Sequence, residues 1–206
     1  WLLQQEGMQG YVSKPYVYMK RLLDLCMAGS LLLLFFPVGL LVSLAIKFDS
    51  KGPVIFLQER VGLHGKPFNC LKFRTMILEA EQKSGPIWST ENDIRITRIG
   101  KFLRRSRLDE LPQLWNIIKG ELSFVGPRPI RKHFVDKMSS QIPFYDIRFS
   151  VQPGLSGWAQ AHNIYAVPDG AGALEYELFY IQNMSFFLDM FTILKTARSV
   201  FQAQGK

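Results

Sequence analysis

Two adjacent acids, Asp109 and Glu110, close a run of cations: Arg95, Arg98, Lys101, Arg104, Arg105 and Arg107 precede them with no acid between. Guanidinium groups hold phosphate oxygens in charge-assisted pairs, and carboxylates hold hard divalent cations. Cations running into paired acids therefore suit a site that handles a phosphorylated, metal-bound substrate. Taken alone, the same stretch is also read as a solvated basic helix with two surface acids, because charge runs are commonly just solvent-facing.

Other residues extend the candidate chemistry. Lys72 and Arg74 lie on an apolar segment that reads as a strand, where they are either edge cations or site residues. In Gly126-Pro127-Arg128-Pro129 a rigid turn presents one arginine, and the flanking prolines lower the entropy lost when that arginine binds an anion. Asp189 is the one acid within an apolar helical surround. It either complements the helix dipole near an N-terminus or serves as a second acid or metal partner, since an unpaired carboxylate beside apolar surface is costly. The three histidines, His64, His133 and His162, are scattered, and the two cysteines, Cys26 and Cys70, are distant. Neither a zinc-type cluster nor a disulfide framework follows, so any metal is expected on oxygen ligands.

The elements that must position these residues begin with a membrane segment. No charged residue occurs from Leu25 to Ile46. As a helix, that length just crosses the roughly 30 Å hydrocarbon layer of a bilayer. Pro37, near its middle, removes a backbone hydrogen bond and predicts a bend. Both flanks are basic, with Lys14, Lys20 and Arg21 before and Lys47 and Lys51 after, which places both ends in the cytoplasm. A helix that enters, bends and leaves by the same face satisfies both features. The expected division is residues 1–17 as leader or linker, 18–47 as re-entrant helix kinked at Pro37, and 48–206 as a cytoplasmic domain.

Beyond the membrane segment, Val54 to Leu57 and Pro67 to Arg74 predict a hairpin. Helices are expected over Thr75 to Gln82, around Phe102 to Leu108, after Pro112 as far as Gly120, over Ile130 to Met138, over Leu174 to Met184, and from Ser185 to about Gln202. The last is apolar over most of its circumference, with Lys195 and Arg198 placed to reach lipid headgroups. The fold class is α/β, mostly α with a short β-hairpin or small sheet, comprising a re-entrant membrane helix, a compact cytoplasmic catalytic domain and interfacial amphipathic helices.

The 206 residues carry a net charge of +8 with 16 Phe and 4 Trp, a balance that fits an anionic membrane surface or a phosphorylated small molecule. Charge of this size also admits a nucleic-acid binder, but no reader motif is present, and the paired acids count against one.

Six segments occur in order: Lys20-Arg21-Leu22-Leu23-Asp24, Gln58-Glu59-Arg60-Val61-Gly62, Lys72-Phe73-Arg74-Thr75-Met76, Leu108-Asp109-Glu110-Leu111-Pro112-Gln113, Val125-Gly126-Pro127-Arg128-Pro129 and Pro153-Gly154-Leu155-Ser156-Gly157. Together they resemble the bacterial sugar transferases, the monotopic phosphoglycosyl transferases that begin exopolysaccharide and O-antigen assembly. The resemblance implies transfer of a sugar 1-phosphate from a UDP-sugar to a polyprenyl (undecaprenyl) phosphate, with UMP released, Mg²⁺ as cofactor and a covalent phosphosugar on aspartate. It implies Asp109 as nucleophile and metal ligand, and Glu110 as its assistant, by metal binding or by positioning the polyprenyl phosphate. It further implies Arg128, Arg104, Lys72 and Asp189 as phosphate- or substrate-binding residues. Membrane lipids are implied partners, nucleic acid is not, and a homo-oligomer is compatible. The implied location is the bacterial inner membrane, with the catalytic domain on its cytoplasmic face. Many family members carry Ser-Pro at the membrane bend, where this chain has Phe36-Pro37.

Overall fold

A computed structural model describes residues 14–78, 80, 93–162, 164 and 171–201. In chain order the elements are helix α1 (Lys14–Asp49), strand β1 (Ile55–Val61), a 3₁₀ turn (Leu63–Gly65), β2 (Pro67–Phe73), α2 (Arg98–Ser106), a 3₁₀ turn (Leu108–Glu110) and α3 (Gln113–Lys119). They continue with β3 (Ser123–Val125), α4 (Lys132–Ser139), a 3₁₀ segment (Tyr145–Ser150), β4 (Gly154–Ser156), α5 (Trp158–Ala161), α6 (Ala171–Gln182) and α7 (Phe186–Phe201). The architecture is mostly helical with two small sheets, the antiparallel hairpin β1–β2 and the parallel pair β3–β4.

The expected hairpin is present, paired from Ile55 with Phe73 to Val61 with Pro67. Of the helix expected over Thr75 to Gln82, the described residues 75–78 and 80 form none. Met76 bridges to Ile96, and the amides of Ile77 and Thr97 donate to Arg95 O and Thr75 O. Thr75 to Ile77 is thus tied into extended pairing with a segment far along the chain, and tertiary pairing overrides local helical preference. Most of residues 79–92, including the Trp88 to Asp93 loop, and most of the Asn163 to Ala173 loop lie outside the described residues, as does the leader before Lys14.

Helix α1 is long and apolar enough to cross a membrane. It runs through Pro37 as one continuous helix. Its buried positions, Tyr16, Lys20, Asp24, Ala28, Val42 and Ile46, fall at helical spacing on one face. That face meets the rest of the protein over nearly its whole length. Ala28 packs with Leu114, Ile117, Leu122 and Tyr180, while Val42 and Ile46 pack with Phe73 and Leu103. Near its start, Arg21 donates to Ile117 O at 2.6 Å and Ile118 O at 2.8 Å, satisfying carbonyls at the C-terminal end of α3. Asp24 Oδ1 accepts from the amide of Phe124 at 3.1 Å. Near its end, Asp49 Oδ2 accepts from the amide of Ile99 at 3.1 Å, and Arg74 donates to Ser50 O and Lys51 O. The opposite face is apolar and exposed, with Leu33, Leu34, Phe36, Leu40, Leu41 and Leu44 more than half accessible.

Candidate functional site

The paired acids sit on a 3₁₀ turn between two helices, and the sequence explains the break. Thr97 caps α2 by accepting from Gly100 N at 3.0 Å. Gly100 lies so close to Thr75 that a Cβ there would come within 2.1 Å of its carbonyl oxygen. Helix α2 ends where Arg107 adopts a left-handed conformation, φ 60° and ψ 10°. A β-carbon makes that conformation costly, so a non-glycine residue holding it is a sign of local constraint. Pro112 then starts α3, tolerated because a first-turn amide has no intrahelical acceptor. The outcome is a short turn, Leu108–Glu110, that buries Asp109 at the end of the basic α2.

Lys72 reaches the turn from β2. Its ammonium lies 2.7 Å from Glu110 Oε1 and 3.9 Å from Asp109 Oδ2. The strand is held to α3 by Asn116, fully buried, whose Oδ1 accepts from Leu71 N at 3.0 Å and whose Nδ2 donates to Asn69 O at 2.8 Å. That side chain occupies the outer edge of β2 as a neighbouring strand would and fixes Lys72 relative to the acids. Arg104 donates to Thr75 Oγ1 at 2.8 Å and acts electrostatically on Asp109.

Arg128 Nη2 lies 3.6 Å from Glu110 Oε1. Its rigid turn is fixed by more than its prolines. The amide of Arg128 donates to Glu177 Oε1 at 3.1 Å, and its carbonyl accepts from Arg148 Nη2 at 2.8 Å. The next carbonyl, Pro129 O, accepts from Arg60 Nη1 at 2.6 Å. Arg148 and Glu177 pair at 2.8 Å, both almost wholly buried. Below the turn, β3 and β4 approach so closely that a Cβ on Gly154 would stand 2.1 Å from Gly126 N. Glycine is therefore required where Val125-Gly126-Pro127 meets Pro153-Gly154-Leu155.

The two acids differ electrostatically. Burial, and then the negative charge of Glu110, hold the Asp109 carboxyl well above the usual aspartate range. Burial pushes Glu110 upward as well, but Lys72, Arg128 and Arg107 outweigh it and hold Glu110 well below the usual range. Glu110 thus keeps a matched negative charge, while Asp109 is the less stabilised anion. Asp109 Oδ1 is also buried without a hydrogen-bond partner. An orphaned buried acceptor in a cationic pocket is a feature expected to have a use.

Beside the turn lies a cavity of about 270 Å³. Arg107 and Glu110 form part of its wall; Leu31 and Phe35 of α1, Phe124 and Leu155, and Ile193 and Thr196 of α7 supply much of the rest. The chamber is mostly apolar and runs from the charged turn to α1.

Of the residues expected in the site, Asp109, Glu110, Lys72, Arg104 and Arg128 converge. Asp189 is bonded elsewhere: its carboxylate accepts from Tyr16 at 2.6 Å, from Tyr180 at 2.7 Å and from Lys20. That buried network ties the start of α1 to α6 and α7. Sequence reasoning did not single out Arg107, Asn116, Arg148 or Glu177. Arg107 stood within the basic run, and Arg60 within a motif, but neither carried a distinguishing local signal. The Arg148–Glu177 pair joins distant segments and has none.

Comparison with known proteins identifies the family. The family model described as "Bacterial sugar transferase" matches residues 15–203. The chain is 42% identical over 195 residues to the UDP-N-acetylgalactosamine-undecaprenyl-phosphate N-acetylgalactosaminephosphotransferase of Aeromonas hydrophila, covering 94% of this chain and 46% of that protein. It is 42% identical over 182 residues to the UDP-glucose:undecaprenyl-phosphate glucose-1-phosphate transferase of Klebsiella pneumoniae, covering 86% of this chain and 39% of the relative. A Caulobacter vibrioides protein of the same name is 40% identical over 187 residues, with 88% and 69% covered. The chain spans less than half the length of the Aeromonas and Klebsiella proteins. With the family pattern matched from residue 15 to residue 203, the chain belongs to the bacterial sugar transferase family.

Proposed function

We propose that the protein is a membrane enzyme that transfers a sugar 1-phosphate from a UDP-sugar to a polyprenyl phosphate and releases UMP, through a phosphosugar held covalently on Asp109. One observation carries the reading. A buried carboxylate with an unpartnered oxygen, Asp109, stands among Lys72, Arg104 and Arg107, next to Glu110, which with Arg107 lines an apolar cavity walled partly by α1. The names of the relatives, which couple UDP-sugars to undecaprenyl phosphate, support the substrate classes.

In the first step an oxygen of Asp109 attacks the phosphorus bearing the sugar. The bond from that phosphorus to the UMP oxygen breaks, and UMP leaves with the electron pair. In the second, a phosphate oxygen of the polyprenyl phosphate attacks the same phosphorus, the bond to Asp109 breaks, and the free carboxylate returns. Phosphoryl transfer asks chiefly for positioning and charge neutralisation, which Lys72, Arg104 and Arg128 supply from fixed positions. A less stabilised aspartate anion is the better nucleophile of the pair, and Glu110, matched by Lys72 and Arg128, orders the cations around it.

The donor set suits a hard dication, because Asp109 Oδ1 is an orphaned acceptor adjacent in sequence to a second carboxylate. Among the described residues no third acidic, histidine or cysteine side chain completes a cluster, which fits an ion such as Mg²⁺ that takes one or two carboxylates and fills its remaining positions with water and substrate phosphate. Asp109 and Glu110 would hold it, and its charge would stabilise the phosphates.

The re-entrant reading of α1 draws support from contacts at both ends. Lys20 is paired with Asp189, and Asp49 caps Ile99, within the same body of protein. The same domain is packed along α1 as well as at its two ends, which supports both ends lying on the domain's side, although the helix itself runs on through Pro37. The membrane is accordingly the bacterial inner membrane, with the domain on its cytoplasmic face, and the pathway is the first membrane step of exopolysaccharide or another surface glycan. The test is UMP release by purified protein given Mg²⁺, a UDP-sugar and undecaprenyl phosphate. Release that depends on both substrates supports the reading, and its absence across a panel of UDP-sugars overturns it.

A further inference from the structure

Four cations act on the paired acids, and they are not equivalent. Lys72, Arg104 and Arg128 approach from β2, α2 and the Gly-Pro-Arg-Pro turn. Among the described residues, Arg107 is the one of the four that lines the apolar cavity. It does so from a left-handed backbone, φ 60°, held by its amide donating to Arg104 O at 3.3 Å and its carbonyl accepting from Glu110 N at 3.1 Å. Strain of this kind in a non-glycine residue collects at ligand-holding positions. The half-buried Arg107 side chain therefore stands at the boundary between the charged turn and a chamber whose other walls include Leu31, Phe35 and Ile193.

The chemistry of that chamber selects its occupant. An apolar wall does not solvate a nucleotide or a sugar, whose many polar groups would be buried unpaired. It does suit a hydrocarbon chain. Leu31 and Phe35 belong to the uncharged stretch of α1, and their neighbours Leu33, Leu34 and Phe36 are exposed, so the chamber adjoins the surface that lipid would cover. A molecule with a prenyl chain and an anionic head would place the chain against α1 and the head at the polar end. Glu110 is also at that end, but around it and Asp109 stand Lys72, Arg104, Arg107 and Arg128, four cations to two acids, which leaves a net attraction for an anion. The volume accommodates only the first units of a long chain, with the remainder in the bilayer.

We propose that Arg107 binds the phosphate of the prenyl acceptor and so orients it toward Asp109 for the second transfer. The proposal rests on the transferase reading above for the identity of the acceptor. No group is transferred to Arg107, and the bonds made and broken are those of the second step already given.

The test uses the full chain in nanodiscs with farnesyl phosphate and farnesol as probes. The protein is expected to bind farnesyl phosphate more tightly than farnesol. Arg107→Gln should weaken farnesyl phosphate binding by about tenfold or more, the range for losing a charge-assisted hydrogen bond, with little change for farnesol. Arg107→Lys should retain part of the affinity. Arg107→Gly removes the guanidinium while suiting the left-handed backbone, and should lose the same affinity without a folding cost. In turnover, the loss of transfer to undecaprenyl phosphate should exceed any loss in the acceptor-free burst of UMP. Equal loss for farnesyl phosphate and farnesol, unchanged binding in the Gln and Gly variants, or an equal fall in burst and transfer would overturn the proposal. A protein that binds farnesyl phosphate through Arg107 but gives no UMP burst would contradict the transferase reading and leave this assignment standing.

Discussion

Lys72 Nζ donates to Glu110 Oε1 at 2.7 Å, joining the second strand of the hairpin to the turn that carries the paired acids. The same ammonium is 3.9 Å from Asp109, so one cation partly neutralises both carboxylates while bonding directly to only one. Replacing it with Met should leave Glu110 buried without its closest counter-charge. UMP release should fall by roughly a hundredfold or more, the scale for removing one preorganised charge at a phosphoryl-transfer site. Lys72→Arg should recover part of the rate. Steady-state assays of the two variants check this, and wild-type turnover in Lys72→Met would remove Lys72 from the site.

The Arg148–Glu177 pair is buried and serves the backbone on both sides of Arg128. Breaking a buried pair by removing one partner typically costs about 3–5 kcal/mol, because the remaining charge is stranded. Arg148→Met and Glu177→Gln should each lower the thermal unfolding midpoint clearly, and any folded protein should bind donor more weakly through a displaced Arg128. A midpoint unchanged in both variants would show that the pair does not hold the turn.

That Asp109, Glu110, Lys72, Arg104 and Arg128 stand near one another was legible in the sequence, and for several of them the reason is local. Asp109, Glu110 and the prolines around Arg128 lie in short segments whose turn and cap chemistry is written in neighbouring residues. Lys72 and Arg104 joined them through the family resemblance, since the strand pattern alone left Lys72 as either an edge cation or a site residue. The elements that failed or went unseen depend on distant partners. Thr75 to Ile77 carries helical preference but is drawn into pairing by Ile96 and Arg95, far along the chain. Asn116 looks like an ordinary helix residue until β2 is laid against it. Asp189 was expected among the substrate-binding groups, yet it meets Tyr16 and Lys20 well over a hundred residues away, a relation no local spacing encodes.

If α1 enters and leaves by one face, residues at its two ends share a compartment. Tyr18 and Phe48 are exposed near those ends and suit single-cysteine labelling in a Cys26→Ser background, with Cys70 buried. Tyr18→Cys and Phe48→Cys in right-side-out cells should both resist a membrane-impermeant maleimide and react only after permeabilisation. Labelling of one end alone in intact cells would establish a full span.

Removal of divalent metal gives a separate check on the carboxylate assignment. Excess chelator should abolish UMP release, and Mg²⁺ in excess should restore it. With Glu110→Gln, restoration should require a higher Mg²⁺ concentration, because one oxygen ligand loses its charge. Full turnover in chelator would show that the paired acids work without a metal.

The most direct measurement is the intact mass of the protein after incubation with Mg²⁺ and a UDP-sugar it uses, in the absence of polyprenyl phosphate. A covalent route through Asp109 predicts an added mass equal to one sugar phosphate, mapped by peptide analysis to Asp109 and discharged when undecaprenyl phosphate is added. Asp109→Asn should show no such adduct and should lose turnover by more than about a thousandfold. Turnover in Asp109→Asn comparable with the parent, or an adduct that maps to another residue, would contradict it.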